Sequence, residues 1–271
     1  MPARPCRDIL DDLYRRYNRR EFVHPDPLEF LYRYADPRDR EVVGLVAASL
    51  AVGRVAMILR NVETVLDRMG PQPAAWVEGA SADGLRSALA GLRHRFFTGE
   101  DLAAMLWGVR GLMRRHGSVH AFFASAMGRD DETVLPALAA LVQELAAAGC
   151  TRCRAFLPDP RRRSACKRMN LYLRWMVRRD DVDPGGWDRV PASRLVVPLD
   201  THMHRIGLAL GLTARRQANL ATALDITAAL RRIAPDDPVR YDFALTRLGI
   251  RDDTDMDAFL ARYKAAGRAG R

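Results

Sequence analysis

Lysine is almost absent from this chain, which makes its two lysines informative. Of the 43 lysines and arginines, only Lys167 and Lys264 are lysines, and the other 41 are arginines. Arginine stays protonated at any workable pH, whereas lysine can lose its proton and act as a nucleophilic amine. A lysine that served only as a charge could have been replaced by arginine. Lys167 is therefore a candidate nucleophile, and Lys264, in the polar stretch 263–271, is interpreted as a solvated residue.

A carboxylate at the start of a helix is the second group that could do chemistry. Residues 200–210 have helical spacing of apolar residues, and Gly211 is placed to end that helix. Asp200 is then the capping residue, and a capping aspartate stabilises a helix by about 1 kcal/mol. Two interpretations stay open: a structural cap, or a carboxylate that stabilises positive charge during a reaction.

The positive charge of the chain is concentrated in one segment. Residues 151–180 hold ten basic and two acidic residues, so they carry eight of the ten net positive charges. Such a segment is either a solvated helix face or a strip that binds the phosphates of a nucleic acid. The phosphate-binding candidates are Arg161, Arg162, Arg163, Arg168 and Arg174. The net charge of +10 favours a polyanionic partner.

Helical spacing dominates the whole sequence, and the alternation typical of strands is nearly absent. Asp26-Pro27 and Asp36-Pro37 have the form of a capping residue followed by proline at the first helical position. Residues 42–50 are apolar on nearly all sides and predict a buried helix. Further helices are predicted over 57–69, 101–116, 119–127, 131–148, 165–178, 200–210, 222–233, 239–248 and 256–264. The predicted fold class is all-α.

Motifs for metals and cofactors fail on inspection. Cys150 and Cys153 have CxxC spacing, but no matching pair completes a zinc site, so buried thiols are expected. His202 and His204 are two residues apart, which places them about 200° apart on a helix. The sequence has no phosphate-binding glycine loop and no dinucleotide fingerprint. We therefore expect neither a metal nor a cofactor.

The overall composition indicates the class of protein and its expected compartment. The chain is 48% hydrophobic and 28% charged, which argues against disorder. No apolar stretch approaches the roughly 20 residues that span a bilayer, and the first twelve residues lack a signal-peptide pattern. We expect a monomer in the cytoplasm, associated with the nucleoid and without membrane contact.

Two short motifs resemble the helix-hairpin-helix DNA glycosylase superfamily. Leu199-Asp200-Thr201-His202, followed by Arg205-Ile206, resembles the Val-Asp-Thr-His segment that carries the catalytic aspartate there. Lys167-Arg168-Met169-Asn170 resembles the Lys-Thr-Ala-Asn segment of the bifunctional members. The resemblance spans about 156–211, and is closest to an uncharacterised bacterial family distantly similar to the archaeal 8-oxoguanine (GO) glycosylases.

This resemblance implies both a fold and an activity. It implies two helical lobes with a DNA-binding cleft between them, one formed by 49–188 and carrying Lys167, the other by 1–48 plus 189–271 and carrying Asp200. It implies a base-excision repair glycosylase with AP lyase activity on duplex DNA that contains a damaged base. Asp200 would stabilise oxocarbenium character at C1′, and Lys167 would form a Schiff base. We then expect their side chains to lie within about 10 Å of each other.

The resemblance also suggests the lesion. The 33 positions between Lys167 and Asp200 are closer to the spacing of the GO type, so 8-oxoguanine is the expected base. A flipped base needs an aromatic or apolar pocket, for which Trp107, Trp175 and Trp187 are the candidates.

Two features differ from the superfamily pattern. Leu157-Pro158 is followed by Asp159-Pro160-Arg161, without the hairpin glycines that let a backbone approach a phosphate, so arginine side chains are expected to make that contact. The four-cysteine iron–sulfur pattern is absent, so no cluster is expected. Two alternatives stay open: a non-catalytic helical nucleic-acid-binding protein, and a protein that acts on structured RNA.

Overall fold

Helices form nearly all of the secondary structure in the computed structural model, which describes residues 4–147, 157–250 and 254–269. The helices are α1 (Arg4–Tyr17), α2 (Pro37–Leu50), α3 (Val55–Met69), α4 (Pro73–Gly79), α5 (Ala82–Ala88), α6 (Gly99–His116), α7 (Val119–Ala126), α8 (Leu135–Ala147), α9 (Lys167–Val177), α10 (Thr201–Ala209), α11 (Leu220–Arg231), α12 (Asp242–Ile250) and α13 (Met256–Ala269). Single 3-10 turns occupy Arg20–Phe22, Pro27–Arg33, Pro160–Arg162 and Ala192–Arg194. One antiparallel hairpin joins β1 (Arg93–His94) to β2 (Phe97–Thr98). The predicted all-α class is confirmed.

Helix α2 lies at the centre of the fold. All of its residues from Glu41 to Leu50 are buried, as the apolar sequence predicts. It packs against α3, α4, α7 and α9, and against the turn Pro27–Arg33. Gly44 permits the close approach of α9, because a β-carbon at this position would come within 3.3 Å of the Tyr172 ring. This crossing fixes the helix that begins at Lys167.

Local sequence signals set several of the helix boundaries. Asp36 caps α2 by accepting the N–H of Arg38 at 2.8 Å, in agreement with the Asp-Pro prediction. Asp26 accepts the N–H of Leu28 in the same way, but the element that follows is a 3-10 turn. After α10 the chain turns at Gly211, whose φ of +70° is the left-handed conformation expected of a helix-ending glycine.

Other boundaries differ from the prediction for local reasons. Helix α8 begins at Leu135 instead of 131, because the Asp131 carboxylate accepts the N–H of Gly128 and closes a turn. Helix α12 begins at Asp242, after a turn in which the Asp242 N–H donates to the Val239 carbonyl. Helices α4 and α5 and the hairpin were not predicted, since segments of seven or fewer residues show too little periodicity.

The first and last helices of the described chain lie together. Helix α1 packs against α12 and α13, and α12 also packs against α10. The Tyr241 hydroxyl donates to Asp11 Oδ1 at 2.7 Å and ties α1 to the start of α12. The predicted division into lobes stays a prediction, but its boundary at 48/49 falls inside α2. Within the described part of the chain, no helix combines the length and hydropathy that a membrane span requires.

Candidate active site

Asp200 caps helix α10 and leaves one of its oxygens available. Its backbone is extended, with φ −118° and ψ −174°, and its Oδ1 accepts the N–H of Met203 at 2.8 Å. Its Oδ2 lies 3.4 Å from the Nζ of Lys167. One carboxylate therefore serves as a cap and as the partner of the lysine at the same time. The expected proximity of the two side chains is confirmed.

A sharp turn in the backbone precedes Lys167, the first residue of α9. Cys166 adopts the left-handed conformation with φ +50°. Its buried thiol lies 3.3 Å from the carbonyl oxygens of Pro158 and Ser164, which are its acceptors. Burial raises the pKa of this thiol to about 11, so it stays a donor at neutral pH. The thiol closes the turn from which Lys167 reaches Asp200.

The lysine and the aspartate line a cavity of about 1000 Å³. Its walls come from the chain segments 25–27, 51–58, 163–175, 198–202 and 242–250. Side chains from distant parts of the sequence thus converge on the ion pair. The volume is at the upper end of the range for small-molecule sites, and it can admit a nucleoside.

Helix α12 forms a wall that sequence reasoning missed. Its residues Asp242, Phe243, Thr246 and Arg247 line the cavity. Burial raises the pKa of the Asp242 carboxyl to about 6, against the opposing effect of the Arg174 guanidinium, and the charge of Asp200 adds to the rise. No sequence signal indicates this wall, because a single acidic residue in a helical pattern does not reveal what packs around it.

The three consecutive arginines are exposed, but they do not have the same surroundings. Arg161 donates to the Asp159 carboxylate at 2.9 to 3.1 Å and to Gln143 Oε1 at 3.1 Å. Within the described ranges, the guanidinium groups of Arg162 and Arg163 make no ion pair. Arg163 also lines the cavity. These two arginines are therefore the freer candidates for a phosphate contact.

The hairpin-like segment 157–163 has no glycine, and side-chain contacts form its turn instead. Asp159 caps the turn Pro160–Arg162 by accepting the N–H of Arg161 at 2.9 Å. Arg163 then adopts the left-handed conformation, with φ +60° and ψ +17°, which L-residues other than glycine rarely take. Its carbonyl accepts the N–H of Leu220 at 3.2 Å and ties the segment to the start of α11. An arginine thus occupies a backbone conformation typical of glycine at the edge of the cavity.

The guanidinium groups of Arg168 and Arg174 are both held by contacts within the protein. Arg168 Nη1 donates to the Ser49 carbonyl at 3.0 Å, and its guanidinium lies 5.2 Å from the centre of the Phe97 ring. Burial lowers the pKa of Arg168 to about 10. Arg174 is only 3% exposed and pairs with Asp183 at 3.1 Å and Asp242 at 2.6 Å. Arg174 also lines the cavity, but these carboxylates hold its guanidinium, and its predicted contact with phosphate stays a prediction.

Of the three candidate tryptophans, Trp175 alone lines this cavity. Trp187 is 2% exposed, donates from Nε1 to Glu41 Oε1 at 2.9 Å, and stacks on His120 with a ring separation of 5.4 Å. Trp107 lines a separate cavity of about 410 Å³. Neither Trp107 nor Trp187 lines the cavity that holds Lys167 and Asp200, and their role in a base pocket stays a prediction. Their positions in the sequence could not show which cavity they reach.

The described ranges contain no group of three or more His, Cys, Asp and Glu residues that could hold a metal ion. The CxxC residues Cys150 and Cys153 lie outside the described residues.

Comparison with known proteins yields one family. A family model described as "Protein of unknown function (DUF2400)" matches residues 26–251 of the 271. The matched range includes both Lys167 and Asp200. No curated protein and no solved structure matches the chain.

Proposed function

The chain belongs to the DUF2400 family, whose function is unknown, and from its site we propose a base-excision repair DNA glycosylase with associated AP lyase activity. The observation that carries the proposal is the 3.4 Å approach of the Lys167 amine to the Asp200 carboxylate in the wall of the cavity. A nucleophilic amine beside a carboxylate suits attack on a sugar carbon that develops positive charge.

The first chemical step cleaves the bond between the base and C1′ of its sugar. Lys167 gives up one proton to water and attacks as a neutral amine, while Asp200 stays a carboxylate. As the glycosidic bond breaks, the bonding electron pair leaves with the base, which is released once it has gained a proton. Positive charge develops at C1′, and a nearby carboxylate stabilises it most strongly in a site shielded from water. The Lys167 nitrogen then forms a bond to C1′.

The second step cleaves the DNA strand. Ring opening converts the adduct at C1′ into a Schiff base between C1′ and the Lys167 nitrogen. The Schiff base acidifies the C2′ protons, so loss of one proton breaks the C3′–O3′ bond and expels the 3′ phosphate. Water then hydrolyses the imine and restores the lysine. The lyase step needs an amine that can lose its proton, which arginine does not provide.

The charge pattern supports a nucleic-acid substrate. Arg163 lies at the cavity edge, and Arg162 is exposed beside it. Neither forms an ion pair with a carboxylate from the described part of the chain. Duplex DNA presents a phosphate on each side of the nucleotide whose sugar would reach Lys167.

An oxidised purine such as 8-oxoguanine is the proposed lesion. The support is the resemblance to the GO type, together with a cavity volume that admits a purine nucleoside. Trp175 and Phe243 supply buried aromatic surface in the walls. In the proposal, Trp175 and Phe243 form the base pocket, and Trp107 and Trp187 are not part of it.

Borohydride trapping tests the activity directly, since it reduces a Schiff base to a stable protein–DNA link. Wild-type protein should be trapped on duplexes that carry 8-oxoguanine or an abasic site. Lys167→Arg keeps the charge and removes the nucleophile, so trapping should be abolished. Lys264→Arg is the matched control, because it changes the other lysine, which is exposed on α13, and should be trapped like wild type.

The remaining outcomes separate the alternatives. Trapping that persists in Lys167→Arg would assign the chemistry to another amine. No trapping in any variant, with DNA binding intact, would favour the non-catalytic binding protein. Tighter binding of structured RNA than of damaged duplex in competition would favour the RNA-directed alternative.

The salt dependence of binding tests the arginine assignment. When the logarithm of the DNA-binding constant is plotted against the logarithm of the salt concentration, each phosphate contact contributes about 0.9 to the slope. Arg162→Ala with Arg163→Ala should therefore lower the slope by about 1.8, whereas Arg161→Ala should lower it less, because Asp159 and Gln143 already hold that guanidinium. Fluorescence anisotropy with a labelled duplex over a salt series measures the slope. An unchanged slope in the double variant would identify these residues as a solvated face.

A further inference from the structure

The most exposed large apolar side chain among the described residues is Phe96, at 78% exposure. It lies at the tip of the β1–β2 hairpin, next to Arg95, whose φ of +54° forms the tight turn. Single exposed apolar residues are common on protein surfaces and need no explanation. Phe96 differs because of what holds it and what surrounds it.

The hairpin that carries Phe96 is firmly anchored. His94 is buried, its Nδ1 accepts from the Asn61 side chain at 2.8 Å, and its Nε2 donates to the Val52 carbonyl at 2.9 Å. One neutral tautomer satisfies both bonds, and burial lowers the pKa of His94, which favours the neutral form. Phe97 is buried and stacks parallel to the His94 ring. A hairpin fixed in this way holds the Phe96 ring in water instead of letting it fold back.

The hairpin stands beside the proposed active site. Phe97 lies under the guanidinium of Arg168, the residue that follows Lys167. Arg95 lines the same cavity as Lys167 and Asp200, and its side chain packs against Gly53. The exposed Phe96 ring is thus attached to the rim of that cavity.

The surface around Phe96 is apolar and positively charged. Val55, which lines the same cavity as Arg95, is also exposed, at 38%. The arginines at positions 54, 93 and 95 are exposed as well. The chain segments 51–62 and 84–99 contain no acidic residue. An apolar ring next to exposed arginines suits a partner that offers both phosphates and flat apolar faces.

We propose that Phe96 inserts into the base stack of duplex DNA beside the nucleotide that reaches Lys167. The arginines around it would hold the flanking phosphates, and the ring would occupy space that the displaced base leaves. Apolar side chains that enter a base step in this way separate the stacked bases and bend the duplex. The inference rests on the proposed function, because it places the ring in the DNA that enters the cavity.

The test uses DNA on which no covalent chemistry can occur. A duplex carries a tetrahydrofuran abasic analogue, which cannot form a Schiff base, opposite 2-aminopurine, whose fluorescence rises when it unstacks. Wild-type protein should raise the fluorescence severalfold, and Phe96→Ala should remove most of the rise and weaken binding about tenfold. Phe96→Trp, which keeps a planar ring, should retain both. Leu208→Ala removes another exposed apolar side chain, at 40% exposure and outside the cavity lining, and should behave as wild type.

The outcomes distinguish this inference from the proposed chemistry. If Phe96→Ala matches wild type in fluorescence and affinity, insertion is wrong even where borohydride trapping succeeds. If the fluorescence rise depends on Phe96 but no variant is trapped, insertion stands and the lyase chemistry fails. If wild-type protein does not bind the duplex, both fail. A dimer that Phe96→Ala dissociates, with DNA binding unchanged, would assign the ring to self-association instead.

Discussion

Asp200→Asn should lower the rate of base release from an 8-oxoguanine duplex by about 100- to 1000-fold, while the free energy of unfolding changes little. The asparagine oxygen can still accept the N–H of Met203, as Asp200 Oδ1 does at 2.8 Å, and asparagine caps helices about as well as aspartate. Its amide group, however, cannot supply the negative charge that Oδ2 places 3.4 Å from Lys167. The size of the loss is the one typical of removing a group that stabilises charge in a transition state.

A matched substitution separates capping from catalysis in that experiment. Asp36 also caps a helix, α2, by accepting the Arg38 N–H at the same distance of 2.8 Å, and it does not line the cavity. Asp36→Asn should leave both stability and single-turnover base release at wild-type values. Normal base release by Asp200→Asn would mean that Asp200 is only a cap. Loss of activity together with a large drop in unfolding temperature would mean that the carboxylate was needed for folding.

Arg174→Ala should destabilise the fold by about 3–5 kcal/mol, the largest stability effect that we expect from a single change. Arg174 is 3% exposed and pairs with Asp183 and Asp242, which are themselves buried. Its removal leaves the Asp242 carboxylate without an ion-pair partner among the described residues and leaves Asp183 paired with Arg178 alone. Breaking a buried pair in this way costs far more than breaking an exposed one. The urea midpoint at neutral pH measures the effect. Arg86→Ala, in the exposed pair with Asp83, is the control and should cost less than about 1 kcal/mol.

The stability lost in Arg174→Ala should depend on pH, which tests whether unpaired charge causes the loss. Burial raises the pKa values of Asp183 and Asp242 in the wild type, the latter to about 6, and loss of the guanidinium should raise them further. The folded variant then binds more protons than the unfolded chain. Its loss of unfolding free energy relative to wild type should therefore become smaller as the pH falls through those pKa values. A deficit that does not depend on pH would point to lost packing instead of unpaired charge.

The pairing of Lys167 with Asp200 was predictable because its signals are local. A helix-starting aspartate and a rare lysine, each inside a short motif, can be read without knowing what lies around them. The all-α class was equally accessible, since apolar periodicity over ten or more residues determines it. The structure then brings Lys167 and Asp200 together through packing contacts, such as that of α9 on α2, which no local pattern describes.

The surroundings that the sequence did not reveal belong to residues whose contacts are with distant neighbours. Arg174 belongs to the basic segment in sequence, but Asp183 and Asp242 pair with it, and Asp242 is 68 positions away. Trp187 was a candidate for the base pocket, but it contacts Glu41 and His120 in the core. The left-handed conformation of Arg163 was also unforeseen, because sequence reasoning assigns that conformation to glycine.

The pairing of the first helix with the last two has a consequence for synthesis on the ribosome. Leu10, Leu13 and Tyr17 of α1 are buried in the finished protein, and the helices that α1 packs against begin at Asp242 and Met256. At about 5 to 20 residues per second, those partners leave the ribosome roughly 10 to 45 s after α1 does. A helix of 14 residues has little stability alone. The nascent chain therefore displays an uncovered apolar stripe until α12 and α13 have left the ribosome, and the α12 wall of the cavity cannot be in place before then.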